Sequence, residues 1–213
     1  MAATLGVLVA GGAGSRLALG IPKALVRLGG VTLLERGIAI LAKVCDEIVV
    51  SAPAALALPL SHASRSARGG RPLHRADDPA GTVGPLAGMV AGLSRVAFER
   101  AIVLGVDLPF MRRAALEALL GRLPGHQAVI PVAGGFPQPL AAAYAPAAVP
   151  ILASRLAAGE RSPTRALEAL DVLMLEDTDL ALLPGGLGSF FNLNTPDDLA
   201  EAAVRMAGEE ASS

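Results

Sequence analysis

Short, uncharged, β-favouring runs alternate along this chain with stretches of helical spacing, and that alternation restricts the fold more than any single motif. Thr4–Ala10 (TLGVLVA) is a continuous apolar run stopped by Gly11-Gly12, the pattern of a strand buried in a parallel sheet. Val31–Val44 follows with Leu33, Leu34, Ile38, Leu41 and Val44 on one helical face. Glu47–Ala52 (EIVVSA) reads as a strand ended by Pro53, Arg71–Arg75 as a short strand, and Ala101–Val106 (AIVLGV) as one that delivers Asp107 at its C-terminal end. Further strands are predicted over Ala128–Val132, Gln138–Tyr144 and Asp171–Leu175. Helices are predicted over Gly84–Phe98, Arg112–Leu123, Ala147–Ala158 and Pro163–Leu170. A last helix starts at Pro196, with Thr195 in the N-cap position. Ala54–Gly70, rich in Ala, Ser and Arg, reads as irregular surface. The alternation predicts a three-layer α/β fold with a mainly parallel sheet. Such sheets bind ligands beyond the carboxyl ends of their strands. The loops after Ala10, Ser51, Arg75, Val106 and Val132 should therefore share one rim.

Length and composition narrow the classes of function. With 213 residues the chain is expected to be one domain, and 53% hydrophobic against 17% charged residues excludes intrinsic disorder. The charge sum of 18 − 19 = −1 gives no basic field for nucleic acid, and 3% aromatics disfavours a base-stacking platform. Mean hydropathy is +0.54, yet the longest uncharged run, Leu123–Ser154, is broken by six prolines and by Gly134-Gly135, so no membrane span is expected. The start, MAATLGVLVAGG, lacks the basic region of a signal peptide, and the single cysteine, Cys45, cannot form an internal disulfide. A soluble, cytoplasmic protein is the expectation.

The segment from Val9 to Lys23 carries the most chemistry. Glycines after a buried strand let the backbone approach a ligand, and successive amide N–H groups form a nest for anions. Arg16 and Lys23 add two cations. The loop lacks the Gly-Lys-Ser/Thr of a Walker A motif, and Leu17 stands where the dinucleotide fingerprint needs its last glycine. A tight turn with ordinary surface cations is the plain alternative. Cation usage argues against it: the chain has sixteen arginines and only two lysines, Lys23 and Lys43. A compact ammonium on a flexible stem suits a triphosphate whose charge and geometry change during reaction. Asp107, at a strand end before Leu108-Pro109, either caps the next turn or serves as a Mg²⁺ ligand shared with substrate phosphates. Asp77-Asp78-Pro79 reads from its residues as a paired-acid turn before proline. Asn192 and Asn194 are neutral donor–acceptors, suited to loop capping or to a polar heteroaromatic ligand. The three histidines do not have metal-ligand spacing, and Ser15 lacks a nucleophile elbow.

VAGGAGSR from Val9 to Arg16, followed by Pro22-Lys23-Ala-Leu25, resembles the signature of nucleotidyltransferases that join a nucleoside triphosphate to a phosphorylated acceptor. Gly84-Pro-Leu-Ala-Gly-Met89, Asp107-Leu-Pro109, Pro137-Gln-Pro-Leu140, Gly159-Glu-Arg161 and Phe191-Asn-Leu-Asn-Thr-Pro-Asp-Asp-Leu199 follow in order. Together they are most similar to the molybdenum cofactor guanylyltransferases of the MobA type. One departure is Arg16-Leu17-Ala18 in place of the usual Arg-Met-Gly.

The resemblance implies a Rossmann-like nucleotidyltransferase fold over residues 1–213, with a nucleotide-binding half to about 135 and an acceptor-binding half over about 136–200. It implies GMP transfer from GTP to molybdopterin or the molybdenum cofactor, with Mg²⁺ as cofactor and pyrophosphate released. Arg16, Lys23 and Asp107 become the expected catalytic groups, with Asp107 on the metal. Val9, Ala10, Gly11, Gly12, Lys23, Ser51, Asp77, Gly84 and Asp107 are expected to surround the nucleotide. Gln138, Arg161, Asn192 and Asn194 are expected on the acceptor side, with Arg165 a further candidate for its phosphate. Cofactor-synthesis proteins and molybdoenzymes are the protein partners implied. Cytidylyl transfer to molybdopterin, nucleotidyl transfer to a sugar or polyol phosphate, and a non-catalytic GTP- or cofactor-binding domain stay open at this point.

Overall fold

The computed structural model describes residues 2–11, 20–60, 70–82, 84–183 and 185–211. Its centre is β1 (Ala2–Val9), whose side chains from Thr4 to Val9 are buried on both faces. Parallel neighbours flank it: β4 (Glu47–Ala52) on one side and β6 (Phe98–Gly105) on the other. β5 (Leu73–Asp77) extends the sheet beyond β4. On the other wing β9 (Ala141–Tyr144) runs antiparallel between β6 and β7 (Ala128–Ala133), and β10 (Val172–Leu175) closes that edge parallel to β7. The order β10-β7-β9-β6-β1-β4-β5 thus threads one sheet through both halves of the chain. Strands β1, β4, β5, β6, β7 and β10 point the same way, so their C-terminal ends form the expected single rim.

Helices cover both faces. One layer holds α1 (Leu33–Leu41), α3 (Arg113–Arg122) and α7 (Pro196–Ala211), packed with Leu8, Ile48, Val50, Ile102 and Leu104. The other holds α2 (Pro85–Leu93) and α4 (Ala148–Ala157), packed with Leu5, Val7, Val49, Ala101 and Val103. The alternation of Val7 and Leu8 to opposite layers is the period of a strand acting at the centre of three layers. A short α5 (Pro163–Ala166) and α6 (Asp177–Ala181) complete the helices.

Several boundaries differ from the sequence-based expectations, each for a local reason. The helix predicted from Val31 starts at Leu33, because Val31–Thr32 pairs as β3 with β2 (Arg27–Leu28) and Thr32 becomes the N-cap. There the Thr32 hydroxyl accepts from Glu35 N at 3.1 Å, and the Glu35 carboxylate takes the Thr32 N–H at 2.9 Å. The Thr32 bonds hold the Glu35 carboxyl below its ordinary value. The helix predicted to Phe98 ends at Leu93, since Phe98 is buried in the core as the first residue of β6. The strand predicted from Gln138 starts at Ala141. Before it, the left-handed Gly134-Gly135 turn sends β8 (Phe136–Pro137) back along β7. The third strand lies two residues later than predicted, and Pro163–Leu170 divides into α5 and a 3-10 turn at Leu167–Ala169. Helix α6 was not anticipated.

Glycines set how closely the helices approach β1. A Cβ on Gly37 in α1 would stand 2.5 Å from Leu8 Cδ1, and one on Gly92 in α2 would lie well inside contact with Val7 Cγ1. Gly121 in α3 has open space around it. Gly92→Ala should therefore destabilise the fold by about 1–3 kcal/mol through overpacking against a stiff β-branched neighbour. Gly121→Ala should stabilise it by up to roughly 1 kcal/mol through helix propensity. Urea melts of both variants check this; equal stabilisation by the two would show that the α2–β1 contact is loose.

Candidate active site

The rim is built by hydrogen bonds that continue the sheet past its strands. Ala10 N donates to Ser51 O at 2.8 Å, Val106 N to Val9 O at 3.1 Å, and Asp78 N to Ala52 O at 3.2 Å. Each expected site segment thereby arrives at a fixed height above the strand ends.

Lys23 reaches this rim from a 3-10 turn, Lys23–Leu25, entered through Pro22, whose ring fixes φ near −56°. Ala24 and Val26 anchor the turn in the core, so the lysine is drawn down with them and is only 8% exposed. Its ammonium donates to Asp107 Oδ2 at 3.2 Å and to Asn194 Oδ1 at 2.9 Å. Asp107 follows β6, and its backbone carbonyl accepts from Leu193 N at 2.9 Å. A Cβ on Gly105 would stand 2.5 Å from Asp107 Oδ1, so the carboxylate lies against the strand end only because position 105 is glycine. The turn Gln138–Leu140 sits beside it: Gly105 N donates to Leu140 O, and the buried Tyr144 hydroxyl braces Pro139 O at 2.8 Å. Burial without a charged partner pushes that hydroxyl's pKa up, so it stays a donor.

No group of three or more His, Cys, Asp or Glu residues capable of holding a metal is present among the described residues. A single strand-end carboxylate is chemically suited to Mg²⁺, which commonly takes one or two protein carboxylates and completes its shell with phosphate and water. Asp107 is such a carboxylate, lying against Gly105 and partly exposed at the rim.

A second polar spot lies on the α2 side. Ser51 Oγ and Asp78 Oδ1 are buried and have no hydrogen-bond partner among the described residues. A Cβ on Gly88 would stand 3.2 Å from Ser51 Oγ, 3.2 Å from Val9 Cγ1 and 3.4 Å from Asp78 Oδ1, and one on Gly11 would stand 3.7 Å from Asp78 Oδ2. Val9, Gly11, Ser51, Asp78 and Gly88 therefore converge on one place. Desolvation, and then the like charge of Asp77, push the Asp78 carboxyl above its ordinary value, with Arg75 opposing. Asp77, the acid singled out from the sequence, is instead exposed at the surface and paired with Arg75 Nε at 2.7 Å. Strand alternation explains the exchange. Asp77 is the last residue of β5 and faces outward, and the next residue turns in. Two adjacent acids gave the sequence no means of choosing between them.

Other expected residues are placed less directly. Gly84 has φ +103°, a conformation for glycine, and caps α2 near the Arg161 carbonyl. The Arg161 guanidinium is engaged with Leu156 O and Glu160 O, where it caps α4. Arg165 is paired with Glu160 at 3.0 Å. The Glu160 carboxyl is held down to about 2 by N–H groups of Ser162 and Arg161 and by Arg165. The Gln138 amide folds back onto Phe136 O at 3.0 Å, and Asn192 is exposed beside the site. Gly12 and Arg16 lie outside the described residues. Cys45 is fully buried away from the rim, and burial pushes its thiol to about 12, which suits a packing role and not a nucleophile.

Comparison with known proteins follows this geometry. Residues 6–173 match the family model of the MobA-like NTP transferase domain. A molybdenum cofactor guanylyltransferase of Pseudomonas putida is 31% identical over 92% of this chain and 95% of its own. One of Desulfosudis oleivorans is 29% identical over 96% and 98%. The crystal structure of molybdopterin-guanine dinucleotide biosynthesis protein A from Archaeoglobus fulgidus superposes with a TM-score of 0.76 at 29% identity, covering 96% of this chain and 99% of that one. No helix among the described residues is long and apolar enough to cross a membrane. With the sheet order, the rim and the ordered motifs in agreement, the chain belongs to the MobA-like NTP transferase family.

Proposed function

We propose that this chain transfers GMP from GTP to molybdopterin or its metal-loaded form and releases pyrophosphate, acting in the cytoplasm beside the proteins that make and use the cofactor. The observation that carries the reading is the contact of Lys23 with Asp107 and Asn194 at the strand ends, where the relatives' names call for nucleotidyl transfer. An oxygen of the acceptor's terminal phosphate attacks the α-phosphorus, and the bond from that phosphorus to the pyrophosphate oxygen breaks. A phosphate is already nucleophilic, so the residues have no proton to remove. Positioning and charge neutralisation are the work left to them. Lys23 faces the phosphates and Asp107 would hold Mg²⁺. Mg²⁺, when bound, neutralises triphosphate oxygens. Their motif positions assign Arg16 and Gly12 to phosphate binding, and Gly84 brings the α2 N-terminus toward the ribose and phosphates. Gln138, Asn192 and the Asn194 amide line the acceptor side, while the Arg161 guanidinium stays on the α4 C-terminus.

Asp78, and not the exposed Asp77, reads the base. A guanine ring N–H and exocyclic amine offer two donors to an acceptor that lacks one, and Ser51 offers a hydroxyl beside it. The geometry supports guanine over cytosine, which has one exocyclic amine and no ring N–H on that edge.

Incubation with each of the four nucleoside triphosphates, molybdopterin and Mg²⁺ tests the reading. Pyrophosphate release with GTP is expected; release with CTP instead, or GTP binding without release, would redirect it. Asp107→Asn should lower turnover roughly 10²–10³-fold with the fold intact, and near-normal rates at saturating Mg²⁺ would remove Asp107 from the metal role. Lys23→Ala should cost about 2–4 kcal/mol of transition-state stabilisation, and Lys23→Arg should recover little, because a planar fork fits a crowded triphosphate poorly. Asp78→Asn should erode discrimination for GTP. The same change should raise the melting temperature at neutral pH. A carboxyl with a raised folded-state pKa loses stability as pH climbs from the ordinary carboxylate value through the raised one, and the neutral amide is free of that loss. Below the ordinary carboxylate value the two proteins should melt alike. Unchanged selectivity would return the base-reading role to another residue.

A further inference from the structure

The C-terminal helix begins at the reaction centre. Asp198 Oδ2, in the first turn of α7, accepts from Asn194 N at 2.7 Å and from Thr195 N at 2.7 Å, while Asp198 N donates to Thr195 Oγ1 at 3.1 Å. These bonds form a reciprocal helix cap. They also do something a cap alone does not require. Asn194, whose backbone Asp198 grips, is the residue whose side-chain oxygen accepts from Lys23 at 2.9 Å. Its neighbour Leu193 donates to the Asp107 carbonyl at 2.9 Å.

Helix α7 is itself anchored at two further points. The Arg205 guanidinium lies 4.3 Å over the Phe191 ring, and Phe191 meets Phe110, in the segment after Asp107, edge-on at 5.8 Å. On the other side Met206 Sδ receives Arg36 Nη2 at 3.1 Å, and Arg36 also bonds Leu28 O in the β2–β3 hairpin that follows Lys23. The helix is thus fastened both to the segment carrying Asp107 and to the segment carrying Lys23.

We propose that Asp198 is a positioning residue for Lys23: its carboxylate fixes the Asn194 backbone so that the Asn194 amide oxygen holds the ammonium beside Asp107. Asp198 touches neither substrate nor reacting atoms and acts through Asn194. The kinetic consequence rests on the transfer reaction proposed above, but the placement of Lys23 can be read in the substrate-free protein.

Lysine usage makes that reading simple. The chain has two lysines, buried Lys23 and exposed Lys43. The full chain is labelled with an amine-reactive ester, and mass spectrometry follows the rate at Lys23 relative to Lys43. Asp198→Ala is expected to raise that ratio about tenfold and to lower kcat by a similar factor with little change in the KM for GTP, since a displaced ammonium is missed mainly in the transition state. Asp198→Asn, which keeps one oxygen of similar shape, should fall between Asp198→Ala and the parent. Thr195→Ala removes the hydroxyl that accepts the Asp198 N–H but leaves both carboxylate bonds, so its labelling ratio and kcat should stay within about twofold of the parent. An unchanged ratio in Asp198→Ala, or an equal rise in Thr195→Ala, would make Asp198 a helix cap and nothing more. If the parent turns over no nucleotide, the proposed reaction fails while the labelling result still decides this point.

Discussion

A lysine ammonium withdrawn from water must find acceptors, and Lys23 finds them in Asp107 and Asn194, 84 and 171 positions away in the chain. Much of the rim follows from meeting that requirement. β6 must end beside β1 so that Asp107 stands over Gly105. The segment from Phe191 to Thr195 must return across the sheet from the far end of the chain. Removing one member of such a pair leaves its partner's charge without compensation, which costs far more than the net worth of the intact pair. In exchange the site holds one positive and one negative group side by side before substrate arrives, so little reorganisation is left for the reaction.

The opposite polar spot stores a different kind of cost. Ser51 Oγ and Asp78 Oδ1 are withdrawn from water without partners among the described residues, an arrangement that lowers stability unless other groups supply hydrogen bonds. Small residues make room for that ligand: Gly11 and Gly88 leave the space that a side chain would fill. The two spots lie at opposite ends of the β1 rim, one with paired charges and one with orphaned polar atoms. A nucleotide has the same division, with charge concentrated on the phosphates and hydrogen-bonding edges on the base.

Much of this was legible in the residues. The continuous run Thr4–Ala10 gave the central strand because burial on both faces leaves no polar alternation, and EIVVSA fixed β4 from Glu47 to Ala52. The scarcity of lysine pointed to Lys23, and the strand-end position pointed to Asp107. Four features stayed hidden for physical reasons. Val31 and Leu33 share an apolar character, so periodicity could not show that Thr32 separates a hairpin from a helix. Asp77 and Asp78 differ only in the parity of β5, which a one-residue shift in strand register reverses. The sequence points Asn194 toward the acceptor, yet its amide oxygen is on Lys23, a contact that depends on where α7 begins. Arg161 likewise looked available for a phosphate until the α4 C-terminus claimed its guanidinium.

The central claim is that Lys23 and Asp107 act as one unit and not as two independent charges. A double-mutant cycle on turnover, comparing Lys23→Ala, Asp107→Asn and the combined variant, tests it directly. Groups acting together give losses far short of multiplicative. The double variant should therefore fall within about tenfold of the slower single variant. Losses that multiply in full would show two separate contributions, and the paired centre described here would not be the unit of catalysis.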